Sequence, residues 1–200
     1  NTGGIHEAIA DLPAQGGKVV LSAGTTYTIT VGISVSIAQV HVQGAGPSSV
    51  VVQSTNATDG FILSSNKFIL SDLTLRGTNV AGVARAVSGG GNSGCIVERC
   101  TIEQWGGIGI NFGNSSSNCV VRSNIIRNGW SEGLYFGHGG TDNLIEGNII
   151  YGNSLNAIDH ISSRGIIRGN VCRNTGAPGV VIDTCGILVG EASGFTASDC

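Results

Sequence analysis

Five side chains in the second half of the chain are of the types that move protons. The segment AIDHISS (157–163) sets a carboxylate, Asp159, beside an imidazole, His160, with the guanidinium of Arg164 just beyond. Upstream, GLYFGHGG (133–140) adds the phenol of Tyr135 and the imidazole of His138. Taking a proton from carbon next to a carboxylate requires a base, an acid and a group that neutralises the developing charge, and these five residues contain those types. The competing reading is a strand whose Asp159 and His160 are structural, because isolated ionisable residues do not define a site without geometry.

The elements that would position these residues are written as a repeat. CVVRSNIIRNG (119–129), NLIEGNIIYGN (143–153) and GIIRGNVCRNT (165–175) are nearly one phrase written three times, with Asn124, Asn148 and Asn170 spaced 24 and 22 residues apart. The same frame sets Cys100 of CIVERCTIEQW 24 residues earlier and Asp72 of KFILSDLTLRG 28 before that. QVHVQG (39–44) and KVVLSAG (18–24) read as weaker early copies, and GILVG (186–190) as a last one. Each unit is rich in Val and Ile, too short for a helix and bounded by Gly, Asn and Ser, which predicts strands joined by tight turns. A second strand lies between the asparagine units: GIGINF (107–112), GLYFG (133–137), AIDHI (157–161) and GVVID (179–183), aligned on Ile108, Leu134, Ile158 and Val180. Two or three strands per period predict an all-β parallel β-helix of about seven to eight rungs, stacked about 4.8 Å apart. A β-sandwich would need antiparallel hairpins at a shorter period.

In-register stacking makes columns. Glu98, Arg122, Glu146 and Arg168 form one of alternating sign, and the asparagines form another, as a hydrogen-bonded ladder or as turn markers. Alternation also turns Ile96, Val120, Leu144 and Ile166 outward, so that face is bent or covered. Tyr135 falls in the column of Asp159, whereas His160 falls in that of Ile110, Phe136 and Ile182, which points it inward. At the start, Ile5, Ala8, Ile9 and Leu12 are spaced as one face of a short helix, which Asn1 or Thr2 could cap and which would close the open end of the stack. The tail GEASGFTASDC has no such helix, leaving that end to a loop, a partner or further residues.

The expected organisation is one domain over 1–200: a cap helix in 1–14, rungs over 17–190 and a tail over 191–200. Net charge is −3 with no basic run, which argues against nucleic acid, and no apolar run reaches the length of a membrane span. The chain contains no Met, even at position 1, so a leader has been removed or the chain is a fragment. Six cysteines in a chain only 12% charged predict an oxidising, secreted or cell-surface location. Cys95 and Cys119 share a column one rung apart, inside the Cα separation of a disulfide, and are expected to pair. Cys185 and Cys200 could staple the tail, Cys100 is unassigned, and Cys172 takes the place of Ile126 and Ile150, as a buried thiol would. Asn56 and Asn114 begin glycosylation tripeptides. Neither an acidic cluster nor zinc-spaced cysteines occur, so no metal or other cofactor is expected.

The opening IHEAIADLPAQGGKVVLSAGTTYTI resembles the entry segment of the right-handed parallel β-helix superfamily, in its pectate-lyase-like branch. The Ile-Asp-His strand resembles that of pectate lyases, and also the Asp-Pro-His strand of mannuronan epimerases with the proline missing. GHGG (137–140) is similar to a segment of polygalacturonases, but no paired aspartates precede it. The Arg-x-Pro-x-x-Arg signature of pectate lyases is absent around Pro13, Pro47 and Pro178. The resemblance implies a secreted protein that binds or processes an acidic polysaccharide as a lyase or C5-epimerase, through Tyr135, His138, Asp159, His160 and Arg164. The missing signatures favour the alternative, a non-catalytic β-helix that assembles with copies of itself into an extracellular fibre.

Overall fold

The computed structural model describes residues 1–55, 58–176 and 186–190. Three parallel sheets of seven strands each form the walls of a right-handed β-helix. Sheet A runs from the strand Gly17–Leu21 to Ile166–Arg168, sheet B from Thr26–Ile29 to Val171–Arg173, and sheet C from Ile33–Val35 to Ile187–Val189. Each turn of the chain contributes one short strand to each sheet, in the order A, B, C.

Three-residue strands suffice because each adds to a continuous core: the middle residue points inward in sheets A and B, and the two flanking residues do so in sheet C. In sheet B that column is Ile102, Ile126, Ile150 and Cys172, so Cys172 does stand where the isoleucines stand. In sheet A it is Leu70, Val97, Val121 and Ile145, each fully buried. The flanking residues of sheet A face out, so Ile96, Val120, Leu144 and Ile166 do form an outward apolar column beside the charged one, and Ile166 is 53% exposed.

The turn from sheet A to sheet B explains the repeated asparagine. Its first residue is left-handed in successive rungs, Arg99, Ser123, Gly147 and Gly169, with φ between 51° and 64°. The second residue is the ladder asparagine. Asn148 Oδ1 accepts both the backbone N–H and the side-chain amide of Asn124, and Asn170 Oδ1 does the same for Asn148. Each amide also donates to the strand carbonyl before it, Val97, Val121 or Ile145. A left-handed residue costs an L-amino acid about 1–2 kcal/mol, which the recurrent amide bonding offsets. The charged column is paired as the alternation requires, with Arg122 on Glu98 and Arg168 on Glu146, each at 2.7 Å.

Four sequence expectations are corrected. Cys100 aligns with Leu73, not Asp72, because the A–B turn in that rung is Asp72-Leu73 and Asp72 takes the left-handed position. In sheet C the partner of Leu134 is Ile110 rather than Ile108, and GILVG supplies a sheet C strand, Ile187–Val189, paired with Ile158–His160; GVVID (179–183) lies outside the described residues. The helix, α1, covers Ile5–Ala10 with Ile5 and Ile9 buried, but its N-cap is Gly4 in the left-handed region, and no side chain caps it. The Thr2 hydroxyl instead donates to the Glu7 carboxylate, and Asn1 Oδ1 accepts the Gly3 N–H.

The fourth concerns Cys95 and Cys119, which occupy neighbouring rungs but are free thiols, as are Cys100 and Cys172. In-register stacking at about 4.8 Å brings the two Cα atoms within disulfide range but does not by itself set the Cβ separation of ~3.5–4.5 Å that the bond also needs. Cys95 and Cys119 are both fully buried, and the adjacent Cys95 thiol together with burial pushes Cys119 up. Cys185, Cys200 and Asn56 lie outside the described residues, while Asn114 is exposed in the turn after Ile110–Phe112.

Candidate functional site

The outer face of sheet C carries a column of polar side chains. Ser88, Asn111, Tyr135 and Asp159 stand in register on four successive strands, followed by Leu188. Tyr135 and Asp159 are half-buried. Glu132 lies in the turn entering the strand Leu134–Phe136, and His138 in the turn leaving it. His138 sits in a glycine-rich corner in which a Cβ on Gly140 would come within 2.2 Å of the Ser116 carbonyl. Further along the same face, Arg85 donates to Ser88 Oγ at 3.3 Å and lies 3.7 Å from Asp59.

The site's electrostatics follow from this crowding. Burial raises the Asp159 carboxyl above its usual range, the negative charge of Glu132 raises it further, and His138 opposes them. Tyr135 is raised by burial and then by Asp159 and Glu132. Asp159 Oδ1 and Asn111 Oδ1 are buried atoms with no hydrogen-bond partner. Such acceptors are costly to leave unmet, and both face the same strip of surface.

Of the five residues singled out from sequence, the structure brings three together: Tyr135, His138 and Asp159. His160 is fully buried and points into the core, stacked in the column Phe112, Phe136, His160. Its ring centroid is 5.8 Å from that of Phe136, its Nε2 is 2.9 Å from Ser162 Oγ, and Gly165 leaves it room, since a Cβ there would lie 2.2 Å from Nε2. Burial lowers its pKa, so the imidazole is neutral. Arg164 is exposed at the corner leading into sheet A, where its guanidinium grips the Asp142 carboxylate at 2.9 and 2.7 Å; the charges that act on Asp159 are Glu132 and His138. Sequence reasoning missed Asn111 and Glu132. Asn111 was within reach, since positions 111, 135 and 159 are 24 residues apart. Among the described residues, no group of three or more His, Cys, Asp or Glu could hold a metal ion.

A three-sheet parallel solenoid with an ionisable row along one wall defines the class. The chain belongs to the family described as "Right handed beta helix region", whose model matches residues 59–200. Among solved structures it is similar to the catalytic unit of a thermostable GH87 alpha-1,3-glucanase from Streptomyces thermodiastaticus strain HF3-3, at 23% identity and a TM-score of 0.72, covering 98% of this chain and 41% of that one. It is also similar to the A-module of mannuronan C-5 epimerase AlgE4 from Azotobacter vinelandii, at 18% identity and a TM-score of 0.66, covering 85% and 51%. A third similar structure is ORF18 of Geobacillus virus E2, at 13% identity and a TM-score of 0.52, covering 87% and 54%. The chain thus spans only about half, or less, of these structures, and at such identities the likeness concerns the fold. No curated protein sequence matches the chain.

Proposed function

We propose that the outer face of sheet C binds a polysaccharide, and that Tyr135, Asp159, Glu132 and His138 act on it. The observation that carries this reading is the in-register pair Tyr135 and Asp159, set between turns that bring up a second carboxylate and an imidazole. An extended face suits a polymer, and a half-buried phenol offers a sugar ring both an apolar surface and a hydrogen bond. Two of the similar structures are named as a mannuronan C-5 epimerase and an alpha-1,3-glucanase, which supports a polysaccharide.

The finer reading is an acidic polysaccharide processed by lyase or epimerase chemistry outside the cell. A carboxyl that burial and Glu132 make easier to protonate is suited to share a proton with the carboxylate of a uronate, which takes the neutralising role that Arg164, committed to Asp142, does not fill. His138 is then the group that takes up the proton at C5, and Tyr135, a phenol that burial keeps protonated, the one that donates a proton back.

The experiment incubates the protein with polymannuronate, polygalacturonate and a neutral glucan, and follows unsaturated ends by ultraviolet absorbance and epimerisation by proton NMR. Conversion of a uronate polymer, lost in Asp159→Asn and Tyr135→Phe, is the expected result. Conversion of the glucan alone would overturn the acidic substrate. An Asp159→Asn variant as active as the parent would overturn the site.

A further inference from the structure

The turn that carries Glu132 on the sheet C side carries an exposed indole on the other. Trp130 is 47% exposed, whereas Trp105, in the preceding rung, is 2% exposed. Backbone hydrogen bonds from Trp130 N to Trp105 O, Ser154 N to Gly129 O and Gly176 N to Asn153 O fix a column in this turn. By the parallel register, Trp130 stands between Gly106 and Ser154, with Gly176 beyond. Small residues on either side leave the indole uncovered, and beneath it opens a depression of about 430 Å³, lined by Trp130, Asn153, Ser154, Asn174 and Thr175 with two glycines. That volume falls within the about 300–1,000 Å³ of ligand sites.

The chemistry of the lining is distinctive because none of its side chains ionises. It offers one large aromatic surface ringed by amides and hydroxyls. Asn153 is 2% exposed; its Oδ1 accepts the Gly129 N–H at 2.9 Å, but its buried Nδ2 has no acceptor. An aromatic floor with uncharged donors and acceptors at its rim matches a sugar ring, which is apolar on its C–H face and hydroxylated at its edge. An anionic ligand would find no cation in this lining, and an apolar one would strand the amides.

We infer that the Trp130 depression is a second carbohydrate-binding site, distinct from the sheet C face, that takes an uncharged hexose unit of a polysaccharide. It anchors a chain at the corner between sheets B and C, and it does so whether or not the sheet C face is catalytic. Bound at both places, a polymer would gain the effective-concentration advantage of two linked sites.

The test uses native gels cast with dextran, mixed-linkage β-glucan or galactomannan, together with tryptophan emission, in which the exposed Trp130 responds to ligand and the buried Trp105 does not. Retardation of the wild-type protein by at least one of these neutral polymers, with a shift in emission, is the expected result. Trp130→Ala should weaken that retardation by about ten-fold or more, the scale of removing an aromatic anchor. Trp130→Phe, which keeps an aromatic floor, should restore part of it and controls for folding. Asp159→Asn should leave the emission shift intact, so this site and the sheet C reading fail separately. No retardation by any of the three polymers, or a Trp130→Ala protein retarded like the parent, would overturn the inference.

Discussion

Replacing Asn148 with alanine should test whether the asparagine ladder holds the stack together or merely marks its turns. Asn148 is fully buried, and its side chain makes four hydrogen bonds: it accepts from the Asn124 backbone and amide at 3.0 Å each, and donates to Val121 O and Asn170 Oδ1 at 2.9 Å each. At about 0.5–1.5 kcal/mol net per bond, the loss is about 2–6 kcal/mol. The higher end applies if no water reaches the Asn124 N–H, which loses its acceptor inside the wall. In urea, with an m-value of about 2 kcal/mol/M, the unfolding midpoint should fall by about 1–3 M, followed by far-ultraviolet circular dichroism. Asn170→Ala should cost less, because Asn170 lies nearer the surface, where water can replace the partners lost. A shift below about 0.3 M for Asn148→Ala would mean that the ladder contributes little beyond turn geometry, and the argument built on it would fail.

Two further outcomes are expected. His160 has its pKa lowered by burial, so below about pH 6.5 the unfolded chain takes up a proton that the folded one refuses, and stability falls as the pH drops. His160→Phe, which continues the Phe112–Phe136 column, should remove that acid loss; thermal melting at pH 5 and pH 8 checks it, and an unchanged pH dependence would count against a neutral buried imidazole. In a background with Cys185 and Cys200 replaced by serine, Cys95, Cys100 and Cys119 should resist a thiol reagent until the protein is unfolded, since each is 2% exposed or less and burial pushes the Cys100 thiol up to about 12. Rapid labelling of any of them in the native state would refute the packing described.

What the sequence determined by itself was everything that a parallel stack converts directly from spacing into contact. Residues one period apart in the chain become neighbours along the axis, so the Asn124–Asn148–Asn170 ladder, the Glu98–Arg122 and Glu146–Arg168 pairs and the Tyr135–Asp159 register could be read from the repeat. The tertiary structure alone decided what depends on direction and on turns of unequal length. A rung spacing sets how near Cys95 and Cys119 lie along the axis but not how their side chains are directed, so the expected disulfide gave way to two thiols. It cannot show that Gly165 opens a core position for His160, or that Asp142 draws Arg164 to a corner. Nor does it show which way a turn faces: the same few residues present Glu132 to the sheet C column and Trp130 to a depression behind it. Strands repeat because each templates the next through its backbone, whereas turns are free to differ, and the residues proposed to bind sugar lie largely in or beside turns.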